Sequence, residues 1–348
     1  MTFENRVLVM TDYRGGFWSS TRNVQTATTM DVDRLSEALR ISGLDVVVLP
    51  AARALSEMGD TPSYVVYTSS EHAESYKRFI EATVLGLQCR GHTPIPRFEY
   101  LLAHHSKAVM ESIRGGIFGE DAGNPSARVF GALEELDAEH LRYPVVLKPS
   151  RGAGSRGVTL AKDAEEARRS AEELSRSEGP KERLLSVLRA KRRPDFVPPS
   201  SHQNPFVVQP YISGLSGDYK VLRYGSRLYV VGRRNREGDF RASGAGLLDY
   251  RIGDGEDLAP VLDAAWTWAT KLQSPFSSLD VAYSASSNGG HPMLIEFQCV
   301  MFGPAALENS VGYYTGGPGA WQFTKEKSVL ESVFAQACVG FIRADQGA

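Results

Sequence analysis

A glycine-rich loop lies between two short segments with the composition of β-strands, and this order restricts the fold more than any other feature. Gly152, Gly154 and Gly157 match the pattern G-x-G-x-x-G, which often marks a dinucleotide site. In such a site the pattern opens a helix, whereas here residues 158–160 are Val-Thr-Leu, and β-branched and apolar residues favour a strand. We therefore predict a strand, a loop and a second strand, which excludes a dinucleotide fingerprint at this point.

The residues around the loop suit phosphate groups. Lys148 lies on the strand segment that enters the loop, and Ser155 lies inside it with Arg151 and Arg156. Backbone N–H groups of such a loop can fold over phosphates, as in the flap of kinases, while the lysine neutralises phosphate oxygens. The alternative is an exposed hairpin whose glycines serve only the geometry of the turn.

A second chemical centre is predicted near the carboxyl end. Asp280 and Glu296 lie on two strand segments that flank a turn centred on residue 288, so a hairpin places them opposite each other. Facing carboxylates are destabilising unless positive charge lies between them, and a hard divalent cation such as Mg²⁺ is the natural candidate. Gln298 shares the face of Glu296 and offers a carbonyl oxygen. A buried salt bridge between Glu296 and an arginine is the alternative.

Arginines between these two centres suit a nucleotide, because a guanidinium group donates several fixed hydrogen bonds to phosphate. We expect Arg241 and one of Arg233 or Arg234 to contact the γ-phosphate; ordinary surface arginines are the alternative. Upstream, a proline interrupts an apolar strand and frees backbone groups that could read an adenine edge. This predicted hinge consists of Gln209, Pro210, Tyr211 and Ile212.

The loop after the first strand is the predicted substrate site. Residues 6–10, 31–42 and 45–49 have the patterns of a strand, a helix and a strand, which together predict a βαβ unit. Open α/β sheets bind ligands at the carboxyl ends of their strands. A capped surface loop is the alternative. The candidate substrate ligands in this loop are Arg14, Ser19, Ser20 and Arg22.

The end of the first domain is marked by a change of pattern. Residues 63–68 predict a third strand, and residues 71–88 predict a helix that Ser70 caps. Pro94 and Pro96 then interrupt the pattern, so we place the boundary near residue 102. Farther along, residues 181–194 form a basic helical pattern, which indicates a solvated helix face or, as the alternative, a binding arm for an acidic partner.

Composition excludes several classes of protein. The 39 Lys and Arg residues nearly balance 41 Asp and Glu residues, giving a net charge of −2, whereas a nucleic-acid-binding domain usually carries a basic excess. No segment approaches the roughly 18 apolar residues that a membrane span needs, and no signal peptide is recognisable. The 3 cysteines form no C-x-x-C pair. We expect a cytoplasmic protein that binds neither nucleic acid nor membrane.

Taken in order, these features resemble the ATP-grasp superfamily of ligases, and three motifs are similar to its glutamate ligase and glutathione synthetase branch. The resemblance covers about residues 100–310 and implies an α/β (α+β) ATP-grasp fold. Its expected parts are a Rossmann-like βαβ domain over 1–102, a central lid subdomain with the glycine-rich flap over 103–204, and a subdomain with the metal site over 205–348. The last two grip ATP. The three motifs are His105-Ser106-Lys107, Tyr143 to Pro149, and Leu294 to Gln298.

The resemblance also implies roles for individual residues. Lys107 and Lys148 contact the phosphates of ATP, and the hinge over 209–212 holds adenine. Asp218 helps to bind ribose or substrate, and Arg241 steadies the transferring phosphate.

For the metal site, the resemblance implies two Mg²⁺ ions, with Mn²⁺ as an alternative, held by Asp280 and Glu296. The family usually completes this site with Asn, so Gln298 departs from the pattern by one methylene while keeping the carbonyl ligand. The stretch from Glu178 to Asn204 is longer than is usual in that branch.

The implied activity is that of an ATP-dependent carboxylate–amine ligase. Such an enzyme phosphorylates a carboxylic acid, lets an amine or amino acid attack the acyl phosphate, and releases ADP and phosphate. The partners are then small molecules, and a homodimer is compatible with this interpretation. The alternatives are a small-molecule kinase of the same fold and a nucleotide-binding protein without turnover.

Overall fold

The computed structural model describes residues 5–18, 30–70, 73–119, 127–152, 156–177, 179–236, 247–250, 258–284 and 290–347. The strands within these ranges are β1 (Arg6–Thr11), β2 (Asp45–Pro50), β3 (Tyr64–Tyr67), β4 (Thr93–Ile95), β5 (Arg128–Phe130), β6 (Val145–Pro149), β7 (Thr159–Ala161), β8 (Phe206–Pro210), β9 (Gly217–Tyr224), β10 (Arg227–Arg234), β11 (Leu248–Asp249), β12 (Phe276–Ala282), β13 (Met293–Gln298), β14 (Tyr313–Thr315) and β15 (Gln322–Thr324). The α-helices are α1 (Val32–Ile41), α2 (Ala51–Glu57), α3 (Glu74–Cys89), α4 (Phe98–His105), α5 (Lys107–Phe118), α6 (Ala164–Ser175), α7 (Pro180–Arg192), α8 (Ala259–Lys271), α9 (Ala305–Asn309) and α10 (Leu330–Gly347).

The chain divides into two compact units. The larger one holds the described residues of 1–104 and 214–348, and the smaller one holds those of 105–120 and 124–213. The division into three domains with boundaries at residues 102 and 204 stays a prediction.

The amino-terminal part of the larger unit is a parallel sheet with the strand order β2-β1-β3-β4. Val7 to Met10 of β1 are fully buried, as expected for a parallel strand covered on both faces. The Asp31 carboxylate caps α1 by accepting the N–H groups of Asp33 and Arg34. The predicted βαβ unit is confirmed.

Two local predictions in this part are wrong. The helix predicted to follow Ser70 begins at Glu74, and its N-cap is Ala73. Ser70 is instead fully buried beyond the end of β3, so it lies in the interior and not at a helix end. Pro94, taken as a break in the pattern, lies within β4, which pairs with β3 at one edge of the sheet that the described residues form. An edge position tolerates proline because one side of the strand needs no N–H donor.

A 7-stranded sheet forms the rest of the larger unit, with the order β13-β12-β9-β10-β14-β15 and with β11 beside β10. The predicted tight turn joins β9 to β10, where Arg227 pairs with Tyr224. The predicted pairing of Asp280 with Glu296 is also confirmed. The register of β12 and β13 shifts directly after this pair, which marks a β-bulge at the candidate site.

An aromatic cluster in the larger unit joins the loop after β1 to the antiparallel sheet. Trp18 is 1% exposed, and its ring centroid lies 5.7 Å from that of Phe276, 4.9 Å from that of Phe302 and 5.3 Å from that of Phe334. The backbone N–H of Trp18 donates to Oγ1 of Thr68 at 2.8 Å. The cluster therefore anchors the start of the predicted substrate loop in the core.

The smaller unit is built on an antiparallel sheet with the order β5-β8-β6-β7. The strands β6 and β7 pair on either side of the glycine-rich loop, so the predicted order of strand, loop and strand is confirmed. Gly152 and Gly157 have φ values of 113° and 70°, in the left-handed region that favours glycine. Gly154 and Ser155 lie outside the described residues.

Two further findings concern the helices. The basic segment predicted as helical over 181–194 corresponds to α7. Within the described ranges, no helix is long and apolar enough to cross a membrane.

The aromatic cluster leads to a stability prediction. We expect Trp18→Ala to lower the free energy of unfolding by about 3–5 kcal/mol, because the substitution empties a fully buried indole site. Urea denaturation followed by circular dichroism measures this change. Phe79→Ala is the control, since the Phe79 ring is 40% exposed; equal losses in the two variants would contradict the account.

Candidate active site

Five charged side chains share one face of the 7-stranded sheet. The strand register places Asp280 of β12 between Lys220 of β9 and Glu296 of β13. Asp218 lies two residues before Lys220 and therefore on the same face, and it pairs with Arg233 of β10. The sheet thus brings together residues from four strands that are far apart in the sequence.

The guanidinium group of Arg233 bridges two carboxylates. Its Nε donates to Oδ1 of Asp218 at 2.5 Å, and its Nη2 lies 2.9 Å from Oδ2 of Asp280. The side chains of Arg233, Asp218 and Asp280 are 8%, 9% and 15% exposed, so water screens these charges weakly. Lys220 adds a second cation, with Nζ at 3.3 Å from Oδ1 of Asp280. Buried charges of this kind are tolerated because each has a partner.

The two aspartates respond differently to this environment. Burial raises the pKa of Asp218 to about 6, even though the ion pair with Arg233 acts in the opposite direction. Burial would also raise the pKa of Asp280, but Arg233 and Lys220 outweigh it and hold that pKa at about 2. The two cations therefore favour the charged form of Asp280.

A small cavity opens where β9, β12 and β13 meet. Beside this cavity, the Gln298 amide Nε2 donates to Oε1 of Glu296 at 3.0 Å. The cavity is lined by Lys220, Ser278, Asp280, Glu296, Phe297 and Gln298.

The oxygens at this cavity are hard donors that fit Mg²⁺, which proteins hold through one or two carboxylates together with substrate phosphates. Asp280 and Glu296 supply carboxylate oxygens, and Gln298 supplies an amide carbonyl. In the part of the chain that the structure describes, no group of three or more His, Cys, Asp or Glu side chains is arranged to hold a metal ion. A hard cation at these two carboxylates and one amide would need further ligands from outside the protein.

The position of Arg233 refines the sequence interpretation. From the sequence, the alternative to a metal site was a buried salt bridge between Glu296 and an arginine. In the structure, Arg233 forms an ion pair with Asp280. Lys220 was not anticipated at all, because its contact with Asp280 depends on the pairing of β9 with β12. Arg234, the other candidate for a phosphate contact, is exposed.

In the smaller unit, the start of α5 is fastened to the glycine-rich loop. The Lys107 backbone N–H donates to the carbonyl of Ser150 at 2.7 Å, and its Nζ donates to the carbonyl of Gly152. The Ser106 hydroxyl caps α5 and lies 2.8 Å from that of Ser150. Lys148 is half-buried on β6, the strand that enters the glycine-rich loop just before Ser150. Both predicted phosphate-binding lysines of this unit thus flank one end of the loop.

The predicted hinge continues from β8 in the smaller unit. Gln209 is 4% exposed, and its Nε2 has no hydrogen-bond partner among the described residues. The Tyr211 backbone N–H donates to the carbonyl of Pro144 at 3.2 Å, so this backbone donor is engaged within the protein. The buried Nε2 of Gln209 is therefore a hinge donor without a partner in the described part of the chain.

The predicted substrate loop begins with a tight turn after β1. Oδ1 of Asp12 accepts the N–H groups of Arg14 and Gly16 at 2.8 and 2.9 Å. The Arg14 Nε donates to the hydroxyl of Tyr13 at 2.9 Å. Six predicted site residues lie outside the described ranges: Ser19, Ser20, Arg22, Gly154, Ser155 and Arg241.

The chain has the ATP-grasp fold, as the resemblance implied. It is similar to the crystal structure of the D-cycloserine synthetase DcsG, with a TM-score of 0.51 and 15% identity over 96% of this chain and 99% of that one. A D-alanine–D-alanine ligase from Bacillus anthracis complexed with ATP gives a TM-score of 0.52 and 12% identity, with 98% of each chain covered. The ATP-grasp ligase PsnB, complexed with a minimal precursor, gives 0.51 and 13%, covering 97% of this chain and 99% of that chain.

Sequence comparisons add no nearer relative. No protein-family model matches the chain, and no curated protein sequence matches it. The similarity therefore resides in the arrangement of strands and helices.

The charged face leads to a prediction about Arg233. We expect Arg233→Met to lower the free energy of unfolding by about 3–5 kcal/mol, because it leaves two buried carboxylates without their shared cation. Adding Asp218→Asn recovers part of the loss, since it removes one of those charges. Arg234→Met, on the exposed side of the same strand, is the matched control with a change below about 0.5 kcal/mol. Urea denaturation measures these three variants and the single Asp218→Asn variant, and a strictly additive double variant would contradict the coupling.

Proposed function

We propose that the chain is an ATP-dependent carboxylate–amine ligase that forms an amide bond through an acyl phosphate and releases ADP and phosphate. The observation that carries this proposal is the row of Lys220, Asp280 and Glu296 across three strands of an ATP-grasp fold. It combines hard oxygen donors with fixed cations, which is the chemistry that phosphoryl transfer needs.

The smaller unit is proposed to contact the nucleotide through two kinds of group. Lys107 and Lys148 would neutralise phosphate oxygens, and the loop from Gly152 to Gly157 would cover them and exclude water. The buried Nε2 of Gln209, which has no partner among the described residues, supports a role in reading adenine, because a buried donor without a partner is costly unless a ligand accepts its hydrogen bond. Pro210, Tyr211 and Ile212 would complete the hinge.

The larger unit is proposed to hold the metal and the transferring phosphate. Asp280, Glu296 and Gln298 would hold Mg²⁺, which supplies positive charge against the phosphate oxygens. Arg241 would contact the same phosphate. Asp218 accepts a hydrogen bond from Arg233, and we propose that it fixes the guanidinium group of Arg233 beside Asp280. A contact of Asp218 with ribose would be a second role.

The proposed reaction follows from the weakness of a carboxylate as an electrophile. A substrate carboxylate oxygen attacks the γ-phosphorus, the bond to the bridging oxygen breaks, and ADP leaves. The amine nitrogen then attacks the acyl carbon, loses a proton and expels phosphate. Excluding water from the acyl phosphate favours the amide over hydrolysis.

The substrates are proposed to be a small carboxylic acid and an amine or amino acid. The names of the D-alanine–D-alanine ligase and the D-cycloserine synthetase support substrates of this size. Arg14, Ser19, Ser20 and Arg22, in the loop after β1, are the proposed ligands of the acid. A nucleotide-binding protein without turnover is the second candidate, because Lys220 and Arg233 already compensate Asp280.

Measuring nucleotide products tests the proposal. We expect ADP and phosphate to form from ATP only when a carboxylic acid and an amine are both present in a substrate screen. AMP and pyrophosphate would contradict the mechanism, and a stable phosphorylated product without any amine would indicate a kinase.

The same assay tests the metal residues. We expect Glu296→Ala to lower ADP release by about 100-fold or more, because it removes a proposed ligand of the Mg²⁺ ion that would supply positive charge against the transferring phosphate. Glu37→Ala, on the exposed side of α1, is the matched control that keeps wild-type turnover. Unchanged turnover in Glu296→Ala would remove the metal assignment.

A further inference from the structure

The charged face has two protein cations where the fold class implies two metal ions. Both oxygens of Asp280 are engaged: Oδ1 lies 3.3 Å from the ammonium group of Lys220, and Oδ2 lies 2.9 Å from the guanidinium group of Arg233. Arg233 is fixed further by Asp218 on its other side. These cations approach Asp280 from β9 and β10, whereas Glu296 lies on the opposite neighbour, β13.

We propose that the chain binds a single divalent cation, on the β13 side of Asp280, and that the ammonium group of Lys220 takes the place of a second ion. This inference rests on the proposed function for the identity of the site, and it replaces the two ions that the family resemblance implied.

The donor set supports one ion. Each Mg²⁺ or Mn²⁺ ion prefers about six oxygen ligands, and anionic ligands are needed to compensate its charge. Asp280 and Glu296 are the two carboxylates at the cavity, and Asp280 already shares its charge with two cations. One ion can use the remaining lone pairs of Asp280 together with Glu296 and the carbonyl of Gln298.

A second ion on the β9 side would meet Lys220. Coordination brings a metal to about 2.1 Å from a carboxylate oxygen, which is inside the distance that separates Lys220 Nζ from the same oxygen. Two positive charges would then compete for one carboxylate, and the ammonium group is covalently held there. Replacing Lys220 with a neutral residue of similar length should therefore open this position to an ion.

Counting bound Mn²⁺ tests the inference directly. Wild-type chain saturated with adenylyl imidodiphosphate, an ATP analogue that resists hydrolysis, is titrated with MnCl₂, and free Mn²⁺ is followed by electron paramagnetic resonance. We expect one Mn²⁺ per nucleotide-bound chain in the wild type and two in Lys220→Met. Lys220→Arg, which keeps the cation, should bind one.

Lys325→Met is the matched control, because it removes an exposed lysine away from the charged face and should also bind one ion. Two ions in the wild type, or one ion in Lys220→Met with native circular dichroism, would overturn the inference. If Lys220→Met does not fold, the wild-type and Lys220→Arg counts still decide between one ion and two.

The analogue also separates this inference from the proposed function. Calorimetry reports whether the chain binds the analogue at all, and absence of binding would contradict the proposed function. In that case a titration without nucleotide decides the ion count: one Mn²⁺ that Glu296→Gln abolishes supports the inference, and two ions or none overturn it.

Discussion

The ion pairs of Arg233 with Asp218 and Asp280 are the interaction on which the charged face depends. Three buried charges on three neighbouring strands are stable only when they compensate one another, so the guanidinium group ties β10 to β9 and β12. The same arrangement keeps Asp280 ionised beside Lys220 and Glu296. The charged face is thereby built on neighbouring strands of a sheet, and its ion pairs do not depend on a loop.

The smaller unit shows a second way of holding charge in place. There, backbone and hydroxyl contacts do the positioning: the Ser106 cap of α5 lies against Ser150, and Lys107 donates to carbonyl groups at both Ser150 and Gly152. A helix start is thus attached to the first residues of a glycine-rich loop. Lys107 is thus positioned by neutral carbonyl groups, whereas Arg233 is held by two carboxylates.

Much of the fold followed from local patterns in the sequence. Strand composition on either side of Gly152 and Gly157 predicted the β6–β7 hairpin, and the spacing of Asp280 and Glu296 predicted their pairing. Both depend on residues joined by one short connection.

The contacts of Asp280 with Lys220 and Arg233 could not be predicted in the same way, because they depend on β12 lying beside β9, a pairing between strands that are not consecutive. The prediction that Ser70 caps a helix was wrong for a related reason, because burial in the folded chain outweighed the preference of serine for helix ends.

The most direct test of the proposed mechanism follows ¹⁸O from the carboxylate of the acid substrate. Transfer of one ¹⁸O atom to inorganic phosphate, read by mass spectrometry, is the result that an acyl phosphate predicts. Recovery of the label in AMP, or phosphate without label during amide formation, would contradict it.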